Sequence, residues 1–389
     1  MSKRSRTNLR KRNVSLKKKP TLDWQERRRR QISDALSKKD ISQLRRLATS
    51  GHGLINDGLR RLCWPLLLHF EHYELHYKVN LQEVHNDERQ VLLDVERSFV
   101  YFPKGLNHVQ RKQKQSELND VIVGVLRRHP KLSYYQGFHD ICSCLLLVLG
   151  KKDAIKAGEN IAITDAMLDS LDPILKQLNL LNTLIRLEDL EIANFLEESN
   201  ILPYFCLSWV ITWCSHDIHD YSKVIRLFDF FIASDPLITI YLSAMVIMNR
   251  RNELLTLERD NATIHTFLSK FPQHIDINEL IQETIQLYRK HPPRKLQKAS
   301  NEELDEKSCV NLYEKHWLEL KADYSVVDEI LSLPPSVRKP DKKLKKSNPF
   351  NKLNNKQTIL TSVTVIAFIL ITSNWLMKNL PERNLLSFH

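Results

Sequence analysis

Glycine is the residue this chain most conspicuously lacks. Eight occur in 389 residues, where average usage of roughly 7% would supply more than three times as many. Tight hairpins draw on glycine for the positive φ angles of their turns. A chain this long with so few is poorly equipped to build a many-stranded sheet, and no segment shows convincing period-2 alternation. Helical periodicity is present instead. Leu118, Val121, Ile122, Val125 and Leu126 recur at i, i+3, i+4, i+7 and i+8, one face of a helix that Pro130 ends. Residues 138–149 are almost wholly apolar after Asp140 and precede Gly150, the pattern of a fully buried helix with a glycine C-cap. Asp172 and Pro173 cap and start another, with Ile174, Leu178, Leu181 and Ile185 on one face. Pro65 sits just inside an apolar run that ends near Phe70, and further apolar helices are expected near 203–215, 222–233, 236–249 and 276–290. The fold class is all-α.

The net charge of +12 belongs to the ends of the chain. Residues 1–30 carry thirteen Lys and Arg against two acids, and residues 336–357 eight against one. Residues 358–389 add a single net positive charge, which leaves 31–335 at net −7. The part able to fold is mildly acidic, so the basic balance does not imply a nucleic-acid partner. Residues 1–30 read as a disordered basic arm, too polar to offset the cost of ordering. The run Arg27–Arg30 fits a nuclear signal, a lipid-facing patch or simply a solvated arm. The arm lacks the apolar core of a signal peptide. The six cysteines, Cys63, Cys142, Cys144, Cys206, Cys214 and Cys309, form no CxxC pair and lie mostly among apolar neighbours. That is the pattern of free buried thiols in a reducing compartment, with neither a disulfide framework nor a zinc site.

Residues 31–290 therefore read as one helical domain. His291-Pro292-Pro293-Arg294 starts a linker to 335, with an amphipathic helix over 309–332. Residues 336–357 form a flexible basic spacer. Residues 358–377 follow, twenty without a charge. At about 1.5 Å per residue they span roughly 30 Å, the thickness of a bilayer core. Trp375 sits near one end, and the bases before the segment outnumber those after it, which places the N-terminal side in the cytosol. With twelve residues beyond, 378–389, the segment reads as a transmembrane tail anchor with a short lumenal tail. The other reading is a buried terminal helix of the domain, although a helix apolar all round seldom suits a small soluble core.

Three short segments carry chemistry. They are Gly58-Leu59-Arg60-Arg61-Leu62-Cys63-Trp64-Pro65, then Val91-Leu92-Leu93-Asp94-Val95-Glu96-Arg97-Ser98-Phe99, then Tyr134-Tyr135-Gln136-Gly137-Phe138-His139-Asp140. Together they resemble the TBC-domain family of Rab GTPase-activating proteins. Arg60 and Trp64 match its RxxxW element, Val91, Asp94 and Arg97 its IxxDxxR element, and Tyr134, Gln136 and Gly137 its YxQG element. Arg226-Leu227-Phe228-Asp229 is similar to the later R-[LIV]-W-D segment. The resemblance covers roughly residues 51–290. Asn56 stands where the family usually has Pro, and Phe228 where Trp is common. The YYQGFHD wording with a C-terminal anchor is most similar to the branch anchored in the endoplasmic reticulum, which acts on the Rab of reticulum-to-Golgi traffic.

The resemblance implies a TBC-type helical fold and an activator that is not itself an enzyme. It would meet a GTP-bound Rab that brings the GTP and Mg²⁺, with no cofactor of its own, on the endoplasmic reticulum or early Golgi membrane. Arg97 would be an arginine finger, supplying charge to the transferring phosphoryl group. Gln136 would be a glutamine finger, orienting the attacking water. Asp94, one turn before Arg97, can hold it by an i, i+3 ion pair. Tyr134 would anchor the Gln136 loop, and Gly137 lets backbone approach closely. Spacing alone also allows Arg97 to be a surface arginine paired with Asp94, Gln136 to be a helix cap, and Arg60 with Trp64 to be a stacked structural pair. Two other function classes stand beside this one. A Rab-binding scaffold without activity would need Arg97 or Gln136 disabled, and both are present. The pairs His139-Asp140, His216-Asp217 and His219-Asp220 suit an HD-type metal-dependent phosphohydrolase, since His and Asp are good metal ligands, but that pattern wants one His-Asp pair and a distant Asp.

Overall fold

The structure, a computed structural model, describes residues 24–70, 83–162, 172–306 and 308–313. Among them are seventeen α-helices, one short 3-10 helix and no strand. The first four are α1 (Trp24–Ser37), α2 (Ile41–Thr49), α3 (Asp57–Leu67) and α4 (Glu88–Val95). The long α5 (His108–Arg128) leads to α6 (Phe138–Leu149) and α7 (Lys151–Ala162). Then come α8 (Asp172–Glu188), α9 (Leu190–Glu198), the 3-10 turn Pro203–Cys206, α10 (Leu207–Ile211), α11 (Tyr221–Ile232) and α12 (Ile238–Met248). The last are α13 (Arg251–Leu255), α14 (Asn261–Leu268), α15 (Ile277–Lys290), α16 (Pro293–Ser300) and α17 (Cys309–Leu312).

Two packed groups make the core. In one, α5 lies against α4, α6 and α7; in the other, α12 lies against α8 and α15. The predicted apolar face of α5 is fully buried, and the helix ends at Arg128, before Pro130. Each such leucine, isoleucine or valine contributes on the order of 1.5–3 kcal/mol of burial. α6 has the predicted bounds, and Gly150 follows it at φ +78°. α8 buries Leu178, Leu181 and Ile185 completely.

Several expectations need correction. Among the described residues the first helix, α1, already begins at Trp24, within the stretch expected to be a disordered arm, and its Ile32 and Ala35 enter the core. Arg28, within the run expected to be solvated, donates to the Leu47 and Gly53 carbonyls at 3.2 and 3.3 Å and to Ser50 Oγ at 2.8 Å. The apolar stretch 203–215 is not one helix: Trp213 and Cys214 turn left-handed at φ +52° and +60°. The linker does not start at His291. Pro293 is the first residue of α16, where its missing N–H costs nothing, and Leu296 is fully buried as α16 packs on α8. The amphipathic helix expected over 309–332 is described only at its start, as α17. Residues 1–23, the spacer 336–357, the uncharged segment 358–377 and the tail 378–389 lie outside the described residues. No helix among the described residues is long and apolar enough to cross a membrane.

Candidate functional site

The site forms where the last turn of α4 meets the start of α6. α4 buries Val91, Asp94 and Val95 and exposes Leu92 and Leu93, so the same face that feeds the core carries a carboxylate inward. Asp94 is 0% exposed, and a charge so placed must be paired. It accepts from the Tyr134 hydroxyl at 2.8 Å, from Gln90 Nε2 at 3.4 Å, and from Arg97 Nη2. The Arg97 backbone N–H donates to the Asp94 carbonyl at 3.1 Å, continuing the turn past the helix end. The Arg97 side chain remains 40% exposed, and its Nε and Nη1 have no partner among the described residues. The arginine is thus fastened at one nitrogen and open at the others.

Tyr134 is clamped at both ends, by α4 and by Asp87, the residue just before that helix. Its backbone N–H donates to Asp87 at 2.8 Å while its hydroxyl donates to Asp94. Burial and then the Asp94 carboxylate push its pKa well above the ordinary tyrosine value, so the hydroxyl stays a donor. Arg127 of α5 reinforces the clamp by donating two hydrogen bonds to Glu88, from Nε at 2.5 Å and Nη2 at 2.7 Å. Two residues on, Gln136 is half-buried, and its carboxamide has no hydrogen-bond partner among the described residues. Gly137 adopts φ +119°, and a Cβ there would lie 2.8 Å from Thr212 Cγ2. The Tyr135 hydroxyl donates to the Ile211 carbonyl at 2.8 Å. Arg97 and Gln136 therefore share one support: Tyr134 bonds the anchor of the first and lies two residues before the second.

Arg60 and Trp64 belong elsewhere. They do not stack on each other; both bond Asp229 of α11, which is 0% exposed. Arg60 Nε and Nη2 donate to its two oxygens at 3.0 Å each, Trp64 Nε1 at 3.0 Å, and the Leu54 N–H at 3.0 Å. Arg60 Nη1 donates to Asp57 at 2.8 Å. Gly53 comes so close that a Cβ there would meet Asp229 Oδ2 at 2.6 Å. Phe228 stacks on Trp64 at 6.2 Å between ring centroids, filling its position without the indole of the related motif. Asn56 caps α3, accepting from the Leu59 N–H at 3.0 Å, a role proline cannot take. Sequence reasoning noted Asp229 in its motif but gave it no role; its partners lie 165 to 175 residues away in the chain.

Residues 57–255 match the Rab-GTPase-TBC domain. The chain belongs to that family. It is 37% identical over 286 residues to a Bos taurus protein named TBC1 domain family member 20, covering 70% of each chain. It is 37% identical over 263 residues to Schizosaccharomyces pombe GTPase-activating protein gyp10, covering 65% of this chain and 70% of that one. The chain spans 65 to 70% of the length of the curated relatives it matches first. Among solved structures it resembles the Ypt/Rab-GAP domain of Gyp1p, with a TM-score of 0.54 and 18% identity over 67% of this chain and 99% of that one. That likeness concerns the fold.

Within this TBC domain the His-Asp pairs are already engaged. His139 Nδ1 accepts from the Gly137 N–H at 3.3 Å. His216 Nδ1 sits 3.1 Å from Asp140, whose carboxylate raises the imidazole to about 9. Asp217 accepts from Ser208 Oγ at 2.8 Å, and burial raises it to about 6. His219 stacks on Tyr101 at 3.9 Å between centroids. No group of three or more His, Cys, Asp or Glu able to hold a metal occurs among the described residues. The 216–221 segment instead braces the stretch after Arg97, through His219 on Tyr101 and Tyr221 against Phe102.

Proposed function

We infer that this chain accelerates GTP hydrolysis on a Rab-type small GTPase by lending it Arg97 and Gln136. Family membership and identity to a named GTPase-activating protein support the activator role. One observation carries the assignment of residues: Arg97 is anchored through a single nitrogen to a buried carboxylate and keeps Nε and Nη1 free. A planar, always-charged guanidinium with spare N–H donors can meet the oxygens of a transferring phosphoryl group. Such a group supplied in trans is worth about 10³–10⁵ in rate. The unpartnered Gln136 carboxamide has both a donor and an acceptor to offer an attacking water. GTP and Mg²⁺ arrive with the GTPase. A scaffold without activity fits less well, since among the described residues Arg97 keeps unspent donors and the Gln136 carboxamide has no hydrogen-bond partner.

The uncharged segment 358–377 and its basic flank support a tail anchor holding the TBC domain on the cytosolic face, in the membrane of the endoplasmic reticulum or early Golgi. Removing residues 358–389 should then move the protein from membranes to the soluble fraction; a truncated chain that still resists carbonate extraction would refute the anchor. The activity is tested by phosphate release from a panel of GTP-loaded Rab proteins with the full chain. At least one Rab should be stimulated, and stimulation should be lost in Arg97→Ala and Gln136→Ala. Undiminished stimulation by both variants would refute the finger assignment.

A further inference from the structure

His139 has no share in the finger chemistry above, yet its imidazole lies where the supports of both fingers meet. It is buried in the first turn of α6, two residues past Gly137. Nδ1 is 3.3 Å from the Gly137 nitrogen, which donates to it, and 3.2 Å from the Tyr134 hydroxyl oxygen. It is 3.8 Å from Asp94 Oδ2. On the other side Nε2 is 3.5 Å from Asp140 Oδ1. The Tyr134 hydroxyl has one hydrogen for two acceptors and gives it mainly to Asp94 at 2.8 Å. With Nδ1 accepting from Gly137, the ring hydrogen sits on Nε2, facing a carboxylate that favours this tautomer.

The Gly137 N–H matters because it belongs to the peptide whose carbonyl is that of Gln136. A peptide unit is planar, so fixing its N–H fixes the plane and with it the backbone torsion that aims the Gln136 side chain. Gly137 cannot fix this plane by itself, since glycine spans the widest range of backbone angles. We propose that His139 is a positioning residue that couples the two fingers, holding the Gln136–Gly137 peptide through Nδ1 while packing on the Tyr134 hydroxyl that pins Asp94 and, through it, Arg97. The inference rests on the finger reading.

A histidine that merely fills space in the core makes the opposite demand on substitutes. In His139→Asn the carboxamide oxygen falls near the Nδ1 position and can accept from Gly137. In His139→Gln it extends toward the Nε2 position, closer to the ring in size but without that acceptor. The test measures kcat, KM and melting temperature of the full-length chain on the Rab it stimulates, with Arg97→Ala and Gln136→Ala beside it. His139→Ala should lose roughly 10- to 100-fold in kcat, the scale of a misplacement of about 1 Å, with KM little changed. His139→Asn should recover most of that loss and His139→Gln should not. Wild-type kcat in His139→Ala, with both finger variants impaired, would overturn the coupling. So would rates in Asn and Gln variants that follow side-chain volume or melting temperature. Full rates in both finger variants would refute the finger reading and the coupling with it.

Discussion

Asp229 and Asp94 are both fully buried carboxylates that hold an arginine and accept from an aromatic side chain. They differ in what they leave over. Arg60 meets Asp229 with two nitrogens and Asp57 with the third, and its side chain is 6% exposed. Arg97 meets Asp94 with one, and its other two have no partner among the described residues. The same ion pair thus makes a closed structural joint at one place and leaves an open guanidinium at the other. Burial of the carboxylate is common to both and says nothing about function. The number of guanidinium donors left unspent is what separates them.

The largest effect should come from opening the closed joint. Asp229→Ala leaves a buried Arg60 charge, the Trp64 indole and the Leu54 amide without their acceptor. Removing one partner of a buried pair costs about 3–5 kcal/mol, so denaturant unfolding should shift steeply and activity should fall only because the domain unfolds. A variant that keeps the wild-type unfolding midpoint would break the comparison from that side. A smaller effect on stability, with a clearer effect on rate, is expected of Gly137→Ala. At φ +119°, with Thr212 in the way, alanine costs on the order of 1 kcal/mol or more. The displaced Gln136 backbone should lower stimulated hydrolysis by more than the lost stability explains.

The smallest effect is a dependence on pH. Asp140 raises His216 to about 9 from an ordinary 6.5, and the raised group is the one that binds protons more tightly when folded. Its contribution to stability is complete below about 6.5 and is lost as pH rises through about 9. The window lies above the range in which Asp217, near 6, titrates. The melting temperature should therefore decline across it, and His216→Asn should flatten that part of the profile. The imidazole is half exposed, so solvent weakens the pair and the slope should be shallow. An unchanged profile in the variant would remove the His216–Asp140 pair as a source of stability.

Local signals were the legible ones. α6 could be bounded to the residue because an apolar run starts after a polar loop and stops at a glycine with positive φ. Arg97 and its Asp94 partner could be read because the pair is one turn apart on a single helix. What escaped was set by distant chain. Asp229 gathers residues from α3 and the loop before it, and nothing local marks it as their acceptor. The arginines of α1 looked solvated because charge dominates the run, while Ile32, Ala35 and the carbonyl partners of Arg28 supply the burial. Trp213 and Cys214 break a helix with no glycine or proline to announce it. Nothing local marks the place of His139, because proximity to Tyr134 and the Gly137 amide is a property of the folded loop.

The open guanidinium can be tested most directly with Arg97→Lys in the full-length chain. Lysine keeps the charge and can still reach Asp94, but an ammonium offers no planar fork to the phosphoryl oxygens. At saturating chain, hydrolysis of Rab-bound GTP should fall by roughly 10²-fold or more, within the range of such fingers, while binding to the GTP-bound Rab and the melting temperature stay near wild type. A folded Arg97→Lys chain that still stimulated its Rab at the wild-type rate would contradict the account.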